Sequence, residues 1–182
     1  MIVVCYMGGG AGDLVTSVID LGGSTLNGTR MEIAPNRARL KKPHLFNNTT
    51  EKDHYIESMS SCYLSIPSHD TDYHIDQGHD FISVIVSDMP TAIWATTRFK
   101  NLHLPHVWKE MLSNSGVKDE ISYAECMIFH KELVIQHTDK VIDLKNIRDG
   151  SMIEHLSKYV TTPLNDTLYN NWLQLQRGTL NI

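Results

Sequence analysis

The sequence predicts an α/β domain with a small, mostly parallel sheet and a helical C-terminus, and three stretches carry that prediction. Ile2 to Tyr6 is a run of β-branched and apolar residues; four glycines in the five positions Gly8 to Gly12 follow, then Leu14, Val15, Val18 and Ile19 at helical spacing. That is the pattern of strand, tight turn and helix. Phe81 to Val86 is apolar but for Ser83, as in a strand buried on both faces, and runs through Ser87, Asp88, Met89 and Pro90 into a helix from Thr91 to Asn101. Lys140 to Leu144 reads as a short late strand followed by two helices.

Between these units the chain alternates short elements with punctuation. Gly22 and Gly23 close the first helix, and a short strand is expected around Thr29 to Ile33 before Pro35. Asn36 to Lys42 carries alternating basic residues, Glu51 to Met59 reads as a short helix, and Cys62 to Ile66 reads as a strand stopped by Pro67. Gly116 ends a short helix after Trp108, and Ser122 to Leu133 has the pattern of a longer amphipathic one. Ser151 with Glu154 makes a capping box for a helix reaching about Tyr159, and the helix after Pro163 carries Leu168, Trp172, Leu173 and Leu175, apolar enough to dock. No internal repeat or linker interrupts the 182 residues, so a single domain over 1–182 is expected.

Composition narrows the function classes. Hydrophobic residues make up 41% and charged residues 20%, with no apolar run long enough for a membrane span and no secretory pattern at the first residues. Cys5, Cys62 and Cys126 are odd in number and lack C-x-x-C spacing, which points to reduced thiols in a cytoplasmic protein. A net charge of −5 removes the generic electrostatic argument for nucleic-acid binding, although Arg30, Arg37, Arg39, Lys41 and Lys42 crowd into one stretch. That basic run serves equally as a solvated face or as an anion site.

The candidate site residues are drawn from three places. Gly8, Gly9, Gly10, Ala11 and Gly12 form a turn whose backbone lets a cofactor approach, with the N–H groups of the following helix turned toward an anion. A simple connecting turn explains the same residues, and Asp13 stands where a phosphate-binding loop carries a cation. Ser68 to Asp80, rich in His and Asp, reads as a polar loop beyond a strand; its spacing matches no metal signature, and no metal is expected there. His103, His106 and Trp108 read as packing.

The order of parts resembles the P-loop sulfotransferases, including short divergent members carried by bacteriophages and other viruses. The stretch IVVCYMGGGAGDLVTSVI is similar to their N-terminal strand and glycine loop, FISVIVSDMPTAIWATTRF to their later strand, turn and helix, and KVIDLKNIRDG to their closing strand and turn. The resemblance implies a three-layer P-loop-type fold, cytoplasmic in the host if the protein is viral. It implies 3′-phosphoadenosine 5′-phosphosulfate, or another adenine nucleotide, as cofactor and a small-molecule or macromolecular hydroxyl as acceptor. By position it makes His69 the base and Arg98 or Arg37 a charge-stabilising cation; Gly8 to Asp13 and Ser87 stand where the donor is held. The loop lysine of the family is replaced near Asp13, and the arginine of the later turn by Ser87.

Two other readings stay open. Gly8, Gly10 and Gly12 with Glu32 about twenty residues on fit an S-adenosylmethionine-dependent methyltransferase. A fold without its donor-binding cations also suits a binding or assembly module, with an oligomer possible, that uses an exposed Trp108 or Trp172 and the histidine-rich stretch as contact surface.

Overall fold

The computed structural model describes residues 1–23, 31–34, 37–40, 44–46 and 48–177, with the backbone alone for 31–34 and 37–40. In chain order the elements are β1 (Ile2–Tyr6), α1 (Gly12–Gly23), β2 (Met31–Ala34), β3 (Arg37–Leu40), α2 (Lys52–Ser60), β4 (Ser65–Ser68), α3 (Thr71–Asp76) and β5 (Phe81–Ile85). They continue with α4 (Met89–Asn101), α5 (Pro105–Asn114), α6 (Glu120–Val134), β6 (Val141–Asp143), α7 (Leu144–Asp149), α8 (Met152–Leu156) and α9 (Asp166–Gln176). Strands β4, β1, β5 and β6 form one parallel sheet in that order, and β2 pairs with β3 as a separate antiparallel hairpin. The chain thus leaves β1 for one neighbour, β4, and then crosses to the other, β5. Direction reverses about β1, and in open parallel sheets ligands bind beyond the carboxyl end of such a strand.

Alternation along the strands divides the apolar side chains between two clusters. Val4, Tyr6, Ile82, Val84 and Ile142 pack with α1, α4, α6 and the C-terminal helices, whereas Val3, Cys5, Ile66, Phe81 and Ile85 pack with Leu45, Val134 and the inner faces of α2 and α3. Asp20 of α1 fastens the sheet edge, its Oδ1 accepting from the backbone N–H of Ser65 at 2.8 Å and from its hydroxyl at 3.0 Å. Helix α9 docks through Leu168, Tyr169, Trp172, Leu173 and Leu175, all buried, and the Asn165 N–H donates to the Val18 carbonyl at 3.0 Å. No helix among the described residues is long and apolar enough to cross a membrane.

Several expectations are corrected. The expected strand Cys62–Ile66 begins three residues later, because the N–H groups of Cys62 and Tyr63 both turn back to the Met59 carbonyl and finish α2. Pro67 lies inside β4 instead of ending it. Its carbonyl points outward to Leu45 N–H at 3.0 Å, so its missing N–H also falls on the outer edge and no ladder bond within the sheet is lost. The stretch 68–80 holds α3, whose N-cap Asp70 accepts from Tyr73 N–H, and 37–40 is a strand. Ser151 makes no capping bond to its helix; its hydroxyl donates to Asp149 Oδ1 at 2.7 Å.

Among the described residues, Leu45 closes the outer edge of β4. Leu45 N–H donates to Pro67 and His69 N–H donates to Leu45, at 3.0 and 2.8 Å, while the Leu45 side chain is fully buried. Leu45→Ala is expected to cost about 2 to 5 kcal/mol in a denaturant melt, against about 0.5 kcal/mol or less for Ile121→Ala at an exposed position.

Candidate functional site

A cavity of about 340 Å³ opens at the carboxyl end of β1. Tyr6 and the turn after it supply one wall, with Gly8, Gly9, Ala11 and Asp13; His44, Phe46 and His69 come from the β4 edge. Arg98 and Phe99 of α4, His103 beyond it and Trp172 of α9 complete the opposite side.

The turn is built by close packing. Gly9 has φ of +91°, Ala11 takes φ of +58°, and Gly10 N–H donates to the Met7 carbonyl at 2.9 Å. A Cβ on Gly12 would lie 2.0 Å from the Tyr6 ring. These residues let the Tyr6 ring lie on the start of α1 and bring Gly9 against the backbone of α4, where a Cβ on it would come 2.8 Å from the Ala95 carbonyl oxygen. Asp13, in the first turn of α1, supplies the negative charge that a helix start favours.

Asp13 Oδ1 accepts from the Tyr6 hydroxyl at 2.9 Å and faces His44 Nε2 at 2.8 Å. His44 Nδ1 faces His69 Nε2 at 3.3 Å, and His69 Nδ1 faces the Tyr6 carbonyl at 3.0 Å. A carbonyl only accepts, so His69 Nδ1 carries the hydrogen of that contact. The chain of contacts therefore leaves Tyr6 by its carbonyl and returns to it by its hydroxyl. His69 is placed by β4, from which it emerges, and His44 by the Leu45 bridge beside it. Phe46 stacks on His69 with centroids 5.2 Å apart and planes 18° apart, and keeps 47% of its surface exposed at the mouth.

Burial, with His44 adding to it, pushes the His69 imidazole down to about 4, against weaker opposing pulls from the Tyr6 carbonyl and Asp13. The ring is neutral near neutral pH. On the other side Arg98 lies 5.7 Å from the ring centroids of both Trp94 and Trp172, and Trp94 is flanked again by Arg148 at 4.2 Å. His103 Nδ1 donates to the Phe99 carbonyl at 2.7 Å.

The structure thus brings together Gly8, Gly9, Ala11, Asp13, His69 and Arg98 from the sequence-derived set. Gly10 and Gly12 support the turn from behind, buried, and do not line the cavity. Ser87 is exposed and away from it; the neighbouring Asp88 instead caps α4 by accepting from Thr91 N–H at 2.8 Å. The Arg37 backbone lies in β3, which runs against α1 and α9, but its side chain, the Glu32 side chain and Lys41 and Lys42 fall outside the described residues. Among the described residues no three His, Cys, Asp or Glu groups are arranged to hold a metal ion. His74, from the expected polar loop, is buried across the sheet, bonded to the Ser68 hydroxyl at 3.0 Å and to His79 at 3.1 Å, and burial takes it down to about 4. Burial also raises the Cys5 thiol to about 12, so it is not a nucleophile. Sequence reasoning missed Tyr6, His44 and Phe46. The only local signal was PHLF after the basic run, a histidine and an aromatic two apart around a leucine.

Comparisons of the chain with protein-family models, curated proteins and solved structures found no match.

His69 and His74 each titrate near 6.5 in the unfolded chain and near 4 in the folded one. Between those values the unfolded chain binds protons that the folded chain does not. Stability is therefore expected to fall as pH drops from about 6.5 to about 4, by on the order of 3 kcal/mol at most for each group, and to stop responding to them below. Denaturant melts across that range check this, and His74→Gln should remove roughly half of the loss.

Proposed function

We propose that the chain is a group-transfer enzyme that takes an adenine nucleotide donor and a hydroxyl acceptor into the cavity at the end of β1. The observation that supports this reading best is convergence. Segments far apart in sequence bring the glycine turn, the Asp13–His44–His69 chain and Arg98 to one concave, partly aromatic space, of a size that suits a small-molecule site. The all-parallel sheet with separate apolar clusters on its two faces is compatible with the three-layer P-loop-type fold implied by the sulfotransferase resemblance.

For 3′-phosphoadenosine 5′-phosphosulfate as donor, the division of labour follows from charge. Asp13 already occupies the start of α1, so a phosphate placed there meets a carboxylate; the glycine turn suits the nucleoside, and the anionic groups belong on the Arg98 side. Phe46 offers an exposed aromatic face to a base. In the transfer, the acceptor oxygen bonds to sulfur, the bond from sulfur to the phosphate oxygen breaks, and adenosine 3′,5′-bisphosphate leaves. The hydroxyl proton passes to the Asp13–His44–His69 chain at the cavity wall.

Asp13 itself favours a second reading. A carboxylate in the glycine turn suits a cofactor without phosphates, S-adenosylmethionine, whose sulfonium is cationic.

Thermal melts of the full chain with adenosine 3′,5′-bisphosphate, ATP and S-adenosylmethionine separate these readings. The bisphosphate is expected to raise Tm, with about 2.7 kcal/mol of stabilisation at a hundredfold excess over Kd. Arg98→Met should lose most of that shift and His69→Ala should keep it. Stabilisation by S-adenosylmethionine alone supports the second reading, and no shift with any of the three overturns both.

A further inference from the structure

The hydrogen-bonded chain from the Tyr6 carbonyl to Asp13 cannot be built from two neutral histidines and an Asp13 carboxylate. It has three contacts, Tyr6 O to His69 Nδ1, His69 Nε2 to His44 Nδ1, and His44 Nε2 to Asp13 Oδ1. Each needs one hydrogen. Both ends are acceptors when Asp13 is a carboxylate, and two neutral imidazoles supply one N–H each. If His44 gives its hydrogen to Asp13, two bare nitrogens face each other unless His69 carries two; if it gives it to His69, Nε2 and the carboxylate face each other as bare acceptors. The chain therefore holds one proton more than its neutral rings provide.

We propose that His44, paired with Asp13, is the residue that stores this proton at the cavity wall, and that His69 is its positioning residue. Three observations place the proton on His44. The Tyr6 hydroxyl donates to the same Asp13 oxygen, which favours the carboxylate over the acid. His69 is held neutral by burial with its one hydrogen committed to the Tyr6 carbonyl, so its Nε2 accepts from His44. Among the described residues, His44 alone of the two has a carboxylate within contact distance, at 2.8 Å. Among the described residues, the groups facing His44 are Asp13 from α1, Tyr6 from β1, Phe46 two residues on and His69 beyond β4, with the Tyr55 hydroxyl of α2 on its carbonyl; Arg98 and His103 line the cavity elsewhere.

The consequence deepens the group-transfer reading and depends on it for its use. In this state the unit is loaded as an acid, ready to give a proton to a departing group. It must first release that proton before it accepts one from a hydroxyl, so the base is the unloaded Asp13–His44–His69 unit and not His69 alone.

Long-range 1H–15N correlation spectra of the 15N-labelled full chain at pH 7 test this without any nucleotide, so the outcome is separate from that of the melts. His44, assigned by the loss of its signals in His44→Gln, is expected with both ring nitrogens protonated, and His69 with Nδ1 alone protonated. Asp13→Asn should leave His44 with a single ring hydrogen. His69→Gln, whose amide both accepts from His44 and donates to the Tyr6 carbonyl, should keep His44 doubly protonated, whereas His69→Leu should not. A singly protonated His44 in the wild-type chain overturns the proposal, and the wild-type spectrum decides this even if a variant fails to fold. A His44 that stays doubly protonated in Asp13→Asn, or in His69→Leu, overturns the role given to that partner.

Discussion

The site depends on how the chain closes one edge of its parallel sheet. Strand β4 presents an outward carbonyl at Pro67 and an outward N–H at His69, and Leu45 answers both with its own backbone pair. Two hydrogen bonds and one buried leucine fix the register of a three-residue segment. Because successive residues of an extended segment point to opposite sides, burying Leu45 sends His44 and Phe46 the other way, toward His69 and the cavity. An unprotected edge would invite pairing with another chain. Here the cover for that edge also assembles half of the candidate site.

The other half comes from the glycine turn, whose role differs from that of a phosphate cradle. Its glycines are required by the Tyr6 ring and by the backbone of α4, and its helix start is already served by Asp13. Tyr6 sits at the junction, with its ring over Gly12, its carbonyl on His69 and its hydroxyl on Asp13. The same packing that closes the turn therefore orients the carboxylate and one histidine. Across the cavity, Arg98 is flanked by two indole rings, which keep a cation near an aromatic wall.

Where a pattern is local, it was legible in the sequence. The apolar runs Ile2–Tyr6 and Phe81–Ile85 and the periodic helix behind the glycines gave the α/β class and the parallel sheet, and Pro90 marked the start of α4. Hydrogen bonding from a distance decided what the sequence obscured. Pro67 reads as a strand breaker until its outward edge position is known, and the polar run after Ser68 hides a helix because Asp70 caps it and His74 is buried. Of the site, Gly8, Gly9, Ala11 and Asp13 were legible as the turn after a strand, whereas His69 and Arg98 were reached only by position in the family resemblance. His44 was not, since its partners Asp13 and His69 lie 31 and 25 positions away. The proposed roles of Gly10, Gly12 and Ser87 rested on motif position, and the cavity does not include them.

The central claim is that the cavity at the end of β1 is where a nucleotide and an acid–base unit meet. A crystal structure of the chain with adenosine 3′,5′-bisphosphate at saturating concentration tests it most directly. The account predicts the nucleotide in the space bounded by Gly8, His69 and Arg98, its base near Phe46 and its phosphates on the Arg98 side, away from Asp13. An empty cavity, or a nucleotide seated instead at the turn from Ser87 to Pro90, would contradict it.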